Sequence, residues 1–338
     1  MGQITYRDRR AYRMSNGQIQ VTVLYGGGHI AEIRHLGKDV NPLWTPPWAS
    51  IEPGAYNPRV HTIYGDNAES RLLAGIMGHN LCLDIFGGPS EEEAAAGLTV
   101  HGEASVADYE IAGSETELEM KAELRQAGLR FERTIALAGE AALIQERVEN
   151  LTGTDRPVGW TQHVTMGPPF IEPGRTQFRV PATKSKVIEF DFTDGKGHQQ
   201  TGAEFEWPHC PKRGGGSIDL RVYPREAVSA GYTAHLMDQG IFVAWHPEMK
   251  LAFGYEWVRK DFPWLGRWEE NHSRTGPPWN GKTVTCGMEF GVSPMPETRR
   301  QMVERGSMFG VPGFRWIPAR GSVSVSYQAF VREAETIG

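Results

Sequence analysis

The chain holds only three cysteines in 338 residues, Cys82, Cys210 and Cys286, and no two of them form a CxxC pair. A set that is odd and sparse excludes a disulfide framework and points to reduced thiols, and without CxxC pairs a structural zinc site has no ligand frame. No apolar run approaches the roughly 18 residues of a membrane helix. Positive charge is also short. Lys and Arg total 35 against 41 Asp and Glu, and a net charge of −6 is the wrong sign for a nucleic-acid partner. Residues 1–13 carry four arginines and no apolar stretch, so they do not read as a signal peptide, and the expectation is a cytoplasmic protein off the membrane. There is no GxSxG elbow and no phosphate loop. Gly26-Gly27-Gly28-His29 lacks a following helical pattern, so it reads as a hairpin turn, not a dinucleotide fingerprint.

Turn and strand signals are abundant, with 40 Gly and 22 Pro. Gln18 to Tyr25 alternates polar and apolar residues, and Ile30 to Leu36 reads as its return strand. Residues 41–58 are rich in Pro and Trp and show no period. Arg71 to Met77 fits a short helix or a strand, and Gly87 to Ala96 is a polar loop with one helical turn. Four alternating runs follow, at Ser105–Ile111, Thr116–Leu124, Leu129–Leu137 and Ala142–Leu151, spaced as in a meander. Further strands are expected at 178–181, 186–192, 217–223, 231–237, 241–246, 251–257, 283–292 and 321–332. Loops are expected at 194–200 and 209–216, with an aromatic, Pro-containing loop over 262–279. Pro296 to Gly306, with early Glu, late Arg and a terminal Gly, is the best helix. No Ser/Gly linker or charge run divides the chain. The expectation is therefore all-β: one large antiparallel sandwich spanning residues 1–338, with a split near Pro181 as the alternative.

Three polar residues stand out against this pattern. His163 sits between Trp160 and the Gly167-Pro168-Pro169 turn, where an imidazole next to aromatics has a pKa near or below neutrality and can give or take a proton. His101 precedes Gly102, which permits close backbone approach. Glu289 interrupts the apolar run Cys286-Gly287-Met288-Glu289-Phe290, and a carboxylate on such a strand is either an outward edge residue or an inward functional one. Taken singly, each is as well explained by a turn, a core histidine or a solvent-facing acid. His246-Pro247-Glu248 and His209-Cys210 have no recognisable metal spacing, so no metal is expected.

Taken together, the three resemble the galactose mutarotase-like superfamily, which includes the aldose 1-epimerases. The residues that carry the resemblance are His101-Gly102, His163 with Gly167-Pro168-Pro169-Phe170, and Glu289 with Pro294, along a chain similar from about Ile19 to Phe330. Gln162-His163-Val164 departs from the Asn-His-aromatic pattern of that family, and its substrate-holding aspartate has no clear counterpart. The resemblance implies a supersandwich fold and a free sugar or sugar derivative as the partner, with no cofactor, and leaves a homodimer open. It implies Glu289 as base and His163 as acid in anomer interconversion, and His101 as a group that binds and polarises the sugar. Arg71 would bind hydroxyls, and Trp245, Trp257, Trp264 or Trp279 could stack on the sugar. A carbohydrate-binding protein without catalysis, or another sugar-directed enzyme such as a lyase or hydrolase, is the alternative on the same scaffold.

Overall fold

A computed structural model describes residues 2–337. The chain is all-β and folds into two large antiparallel sheets packed face to face. The first has 12 strands and the second 8. The second sheet shows the alternation plainly: Glu117–Leu124 buries Leu118, Met120, Ala122 and Leu124 and exposes the residues between them. It pairs with Leu129–Ala138, which pairs with Ala141–Asn150, so the expected meander is present. Its first run differs. Residues 105–111 are not one strand: Glu103–Ser105 is a 3-10 turn and the strand is Glu110–Gly113.

The centre of the first sheet is Arg156–Met166, flanked by His79–Asp84 on one side and Val284–Gly291 on the other. Beyond Val284–Gly291 come Trp264–Asn271 and then Ser229–Met237. The residues of Arg156–Met166 are buried on both faces from Val158 onward, because one face packs on the second sheet and the other is roofed by loops. Trp160, Val164, Met166, Met288, Phe290 and Leu265 pack in the core shared with the second sheet. The opposite face carries two smaller apolar clusters. One gathers Trp44, Leu72, Leu73, Ile76 and Trp279; the other gathers Phe86, Ile188, Tyr232, Trp264 and Met295. The gap between these two roof clusters is where the cleft lies.

Several local expectations are corrected. Residues 262–279 are not one aromatic loop, because Trp264–Asn271 is an interior strand. Its charged residues hid it: Arg267 and Glu269 are both fully buried and pair at 3.1 Å, so their charges lie inside the fold and not on a wet surface. Residues 209–216 include a short strand, His209–Pro211, in a hairpin with Ser217–Asp219. The first sheet begins earlier than expected, with Gly2–Tyr6 and Arg9–Ser15. The segment that fitted helix or strand resolves into the helix Ser70–Gly75. The late helix is Arg299–Arg305, capped by Thr298 and Gln301 in a reciprocal box, so Pro296 precedes the helix. No helix of the described residues is long and apolar enough to cross a membrane.

Candidate functional site

Register decides which side chains meet. His163 lies opposite Glu289 across one strand pair and opposite Asn80 across the other. Residues opposite each other in antiparallel strands point to the same face. Asn80, His163 and Glu289 therefore form a row on the roofed face of the first sheet, while Gln162 and Phe290 turn inward. Gly266 continues the row beyond Glu289 and adds no side chain.

His163 Nε2 lies 3.2 Å from Glu289 Oε1, and its Nδ1 shares a 2.9 Å hydrogen bond with Thr165 Oγ1. The Glu289 contact is close but not aligned as a hydrogen bond, so that oxygen has no partner in the protein. Both atoms of the Asn80 amide are also buried and unpartnered. His101 completes the group: its ring centroid is 4.9 Å from that of His163. His101 Nδ1 donates to the Phe86 carbonyl at 2.6 Å, which fixes the tautomer and leaves Nε2 for the cleft. The backbone of His101 is left-handed, φ 68°, and Gly102 follows at φ 80°; a Cβ on Gly102 would meet the Leu83 carbonyl at 2.1 Å. Gly287 has a related role. A Cβ there would lie 2.4 Å from Glu289 Oε1, so glycine makes the space into which the carboxyl leans.

His101, His163 and Glu289 line one cleft of about 300 Å³. Its walls are mainly apolar, among them Leu72, Phe86, Tyr232, Trp268 and Trp279, with Glu69 and Arg274 as the other charged groups. Such a pocket, apolar with a few convergent polar groups, is where small molecules bind. Arg274 reaches Glu69 at 3.3 Å and lies 4.5 Å from the centre of the Trp279 ring.

Burial sets the charge states. It pushes the Glu289 carboxyl well above the usual carboxylate range. It pushes the His163 imidazole well below its usual value, and the neighbouring His101 adds to the shift. His101 is lowered as well, again mainly by burial, while its bond to Phe86 opposes the shift. Each group alone thus favours its neutral form, and the touching His163–Glu289 pair titrates as a unit.

A second polar system holds the central strand from behind. Glu146 accepts from Gln162 Nε2 at 2.6 Å, Trp160 Nε1 at 3.0 Å and Arg133 Nε at 2.8 Å. All four side chains are buried, so the strand that carries His163 is pinned on its inner face by hydrogen bonds made away from water. Among the described residues no three His, Cys, Asp or Glu side chains gather to hold a metal ion.

The other candidates lie elsewhere. Arg71 donates to the Pro53 carbonyl at 3.1 Å and is not part of the cleft wall, although its helix supplies Leu72 and Leu73. Trp245 belongs to the second sheet and donates to the Ala334 carbonyl at 2.8 Å. Trp257, also from that sheet, stacks on Phe290 with centroids 4.4 Å apart inside the core. Trp264 is fully buried in a roof cluster and donates to the Pro312 carbonyl at 3.0 Å. The aromatic side chains of the cleft include Trp279, which was among the stacking candidates, with Trp268 and Tyr232, which were not. Neither Trp268 nor Arg274 was expected to bind, because both fall in the stretch read as a loop. Thr165 was detectable: it lies two residues from His163 on a strand and must share its face.

No model of a known protein family matches the sequence, and no curated protein does. Solved structures match along nearly the whole chain. A galactose mutarotase-like protein from Clostridium acetobutylicum superposes with a TM-score of 0.63 at 13% identity, covering 98% of each chain. A galactose mutarotase related enzyme from Lactobacillus acidophilus gives 0.62 at 11%, covering 97% of this chain and 99% of that one. A candidate aldose 1-epimerase from Klebsiella pneumoniae gives 0.68 at 13%, covering 97% of this chain and 80% of that one. The fold is the galactose mutarotase-like supersandwich.

Proposed function

We propose that this protein interconverts the anomers of a reducing sugar, as an aldose 1-epimerase does, in the cleft of His101, His163 and Glu289. The observation that carries the reading is the register-enforced contact of an imidazole and a carboxyl, 3.2 Å apart and nearly water-free, beside a second imidazole.

Anomer interconversion moves two protons and breaks one bond. A base takes the proton of the O1 hydroxyl, an acid protonates the ring oxygen, and the C1–O5 bond opens to the aldehyde. Rotation about C1–C2 presents the other face, and the same groups reverse the transfers. Glu289 acts as base and His163 as acid. The ring of His163 is held through Nδ1 by Thr165, so Nε2 is the nitrogen that transfers the proton. The working form is carboxylate and imidazolium, reached from the neutral pair by transfer of the Glu289 proton to His163 Nε2 across the 3.2 Å contact; in that form the carboxyl raised by burial is a stronger base than a free one and the imidazole lowered by burial a stronger acid. His101 Nε2 accepts from a sugar hydroxyl. Trp268 and Tyr232 offer apolar area to the ring, and Arg274 offers donors at the rim. The reaction needs no cofactor.

A hydrolase on this scaffold would need a second acid facing the bond. The other carboxylate of the cleft wall is Glu69, which is committed to Arg274 at 3.3 Å. Saturation-transfer NMR on aldoses tests the proposal: exchange between α and β signals rises with protein concentration for at least one sugar. No acceleration over buffer across the panel would overturn it.

A further inference from the structure

The polar side chains of the cleft stand at its two ends. His163 and Glu289, with His101 beside them, form the buried floor. Glu69 and Arg274 pair at 3.3 Å at the mouth, with side chains 35% and 31% exposed. Between floor and mouth the described lining residues include no Asp, Asn, Gln, Ser, Thr or Lys. The middle is a collar of aromatic rings around the His163 imidazole. Trp268 lies 6.0 Å from that imidazole between ring centroids. Phe86 stacks on His101 at 6.2 Å and meets Tyr232 at 6.3 Å. The Tyr232 hydroxyl donates to the Pro294 carbonyl at 3.0 Å, which leaves its ring for the cleft. Tyr232 can lean over the catalytic row because the residue beside Glu289 is Gly266, where a Cβ would lie 2.3 Å from the Tyr232 hydroxyl.

This division of polarity suits one part of a hexose and not another. In the proposed ring opening, O1 meets Glu289 and the ring oxygen meets His163 Nε2, with His101 Nε2 at the same end. The exocyclic C6 is bonded to C5, the neighbour of the ring oxygen. It therefore lands on the collar around His163, whichever face of the sugar is turned up. The hydroxyls of C3 and C4 lie across the ring from that end and point to the mouth, where Glu69 and Arg274 offer an acceptor and donors. A hydroxyl on C6 would lose its water in the collar. It would find indole N–H donors there but no free side-chain acceptor for its own proton, and an unpaired polar group is unfavourable to bury. A methyl group in the same place buries apolar area against carbon. We propose that the substrate is a 6-deoxyhexose, a reducing sugar whose C5 carries a methyl group in place of CH2OH. This rests on the ring-opening reading for the orientation of the sugar.

The experiment is calorimetric binding of two matched series to the full chain. One series is glucose, 6-deoxyglucose, xylose and glucuronate; the other is galactose, 6-deoxygalactose, L-arabinose and galacturonate. In at least one series the 6-deoxy sugar should bind about ten-fold more tightly than its parent hexose, the effect of one buried hydroxyl without a partner. It should also bind about four-fold more tightly than the pentose, which lacks the methyl group. Trp268→Gln and, independently, Phe86→Tyr place a polar group in the collar. Each should bring the 6-deoxy sugar and its parent to within about two-fold of one another. Hexoses that bind wild type as tightly as their 6-deoxy forms in both series would overturn the inference. So would tightest binding by a pentose or a uronate, or a preference undiminished in both variants. The anomer exchange rate is read separately. Exchange without a 6-deoxy preference would overturn this inference alone, and a preference without exchange would overturn the catalytic reading and leave a cleft that binds deoxy sugars.

Discussion

His163 and Glu289 are partners in register on adjacent strands, and their side chains meet at 3.2 Å with both residues at or below 6% exposure. Two ionisable groups so placed cannot be treated independently, because removing one leaves the other buried without its counterpart. Most consequences of the proposed chemistry follow from that pairing.

Glu289→Gln should raise stability while it removes the base. The folded carboxyl has its pKa raised by burial, so the folded state keeps a proton that the unfolded chain has already lost. Stability from this group is complete below the unfolded value and declines as pH rises through the raised folded value. The glutamine has no such decline. Thermal melts should place the variant above wild type at pH 8, by about 2 °C for each kcal/mol, with the gap closing towards pH 4. A variant less stable than wild type at pH 8 would show that the carboxylate is already compensated in the fold.

Gly287→Ala should displace the carboxyl without unfolding the strand. The added Cβ falls 2.4 Å from Glu289 Oε1 and 3.2 Å from Trp268 Cβ, and the side chain is the softer neighbour. The turnover rate should fall about 10- to 100-fold, in line with a misplacement on the order of 1 Å, with the far-UV spectrum unchanged. Wild-type turnover would mean that the position of Glu289 in the free protein is not the working one.

Thr165→Val should cost turnover more than binding. Thr165 Oγ1 is the Nδ1 partner of His163 at 2.9 Å, and valine keeps the shape but not the hydrogen bond. The ring is then free to present either nitrogen. An approximately ten-fold loss in kcat, with KM nearly constant, is expected from the loss of a single orienting bond. A change in KM alone would assign Thr165 to packing.

Asp84→Asn tests the ion pairs that tie the late helix and the central strand to His79–Asp84. Asp84 is 1% exposed and takes both terminal nitrogens of Arg299 at 2.7 Å, with Arg156 at 2.8 Å. Its backbone is left-handed, φ 82°, a conformation that asparagine also tolerates, so the substitution isolates the charge. Breaking this pairing should cost about 3 kcal/mol, read from the denaturant midpoint. No change would mean that the two arginines find solvent at no cost.

Much of this was legible in the sequence, for physical reasons. Strands such as Glu117–Leu124 have one wet face, so their alternation is visible. Glu289 was visible because a lone carboxylate on an apolar strand must be explained by its surroundings. Trp264–Asn271 was not legible, since a strand buried on both faces loses its period, and the Arg267–Glu269 pair imitated an exposed surface. That error concealed Trp268, and with it Arg274 just beyond the strand. Two of the four tryptophans expected to stack lie away from the cleft for a topological reason. Trp257 and Trp245 lie on the second sheet, and which sheet a strand joins depends on pairings far apart in the chain.

The most direct test of the central claim is the rate of α-to-β exchange by saturation-transfer NMR, with wild type, Glu289→Gln and His163→Ala on a sugar that wild type accelerates. The account predicts that each substitution lowers the protein-dependent rate by roughly 10²- to 10⁴-fold, the range for removal of a general acid or base, while sugar binding is retained. A Glu289→Gln protein that exchanges anomers at the wild-type rate would contradict it.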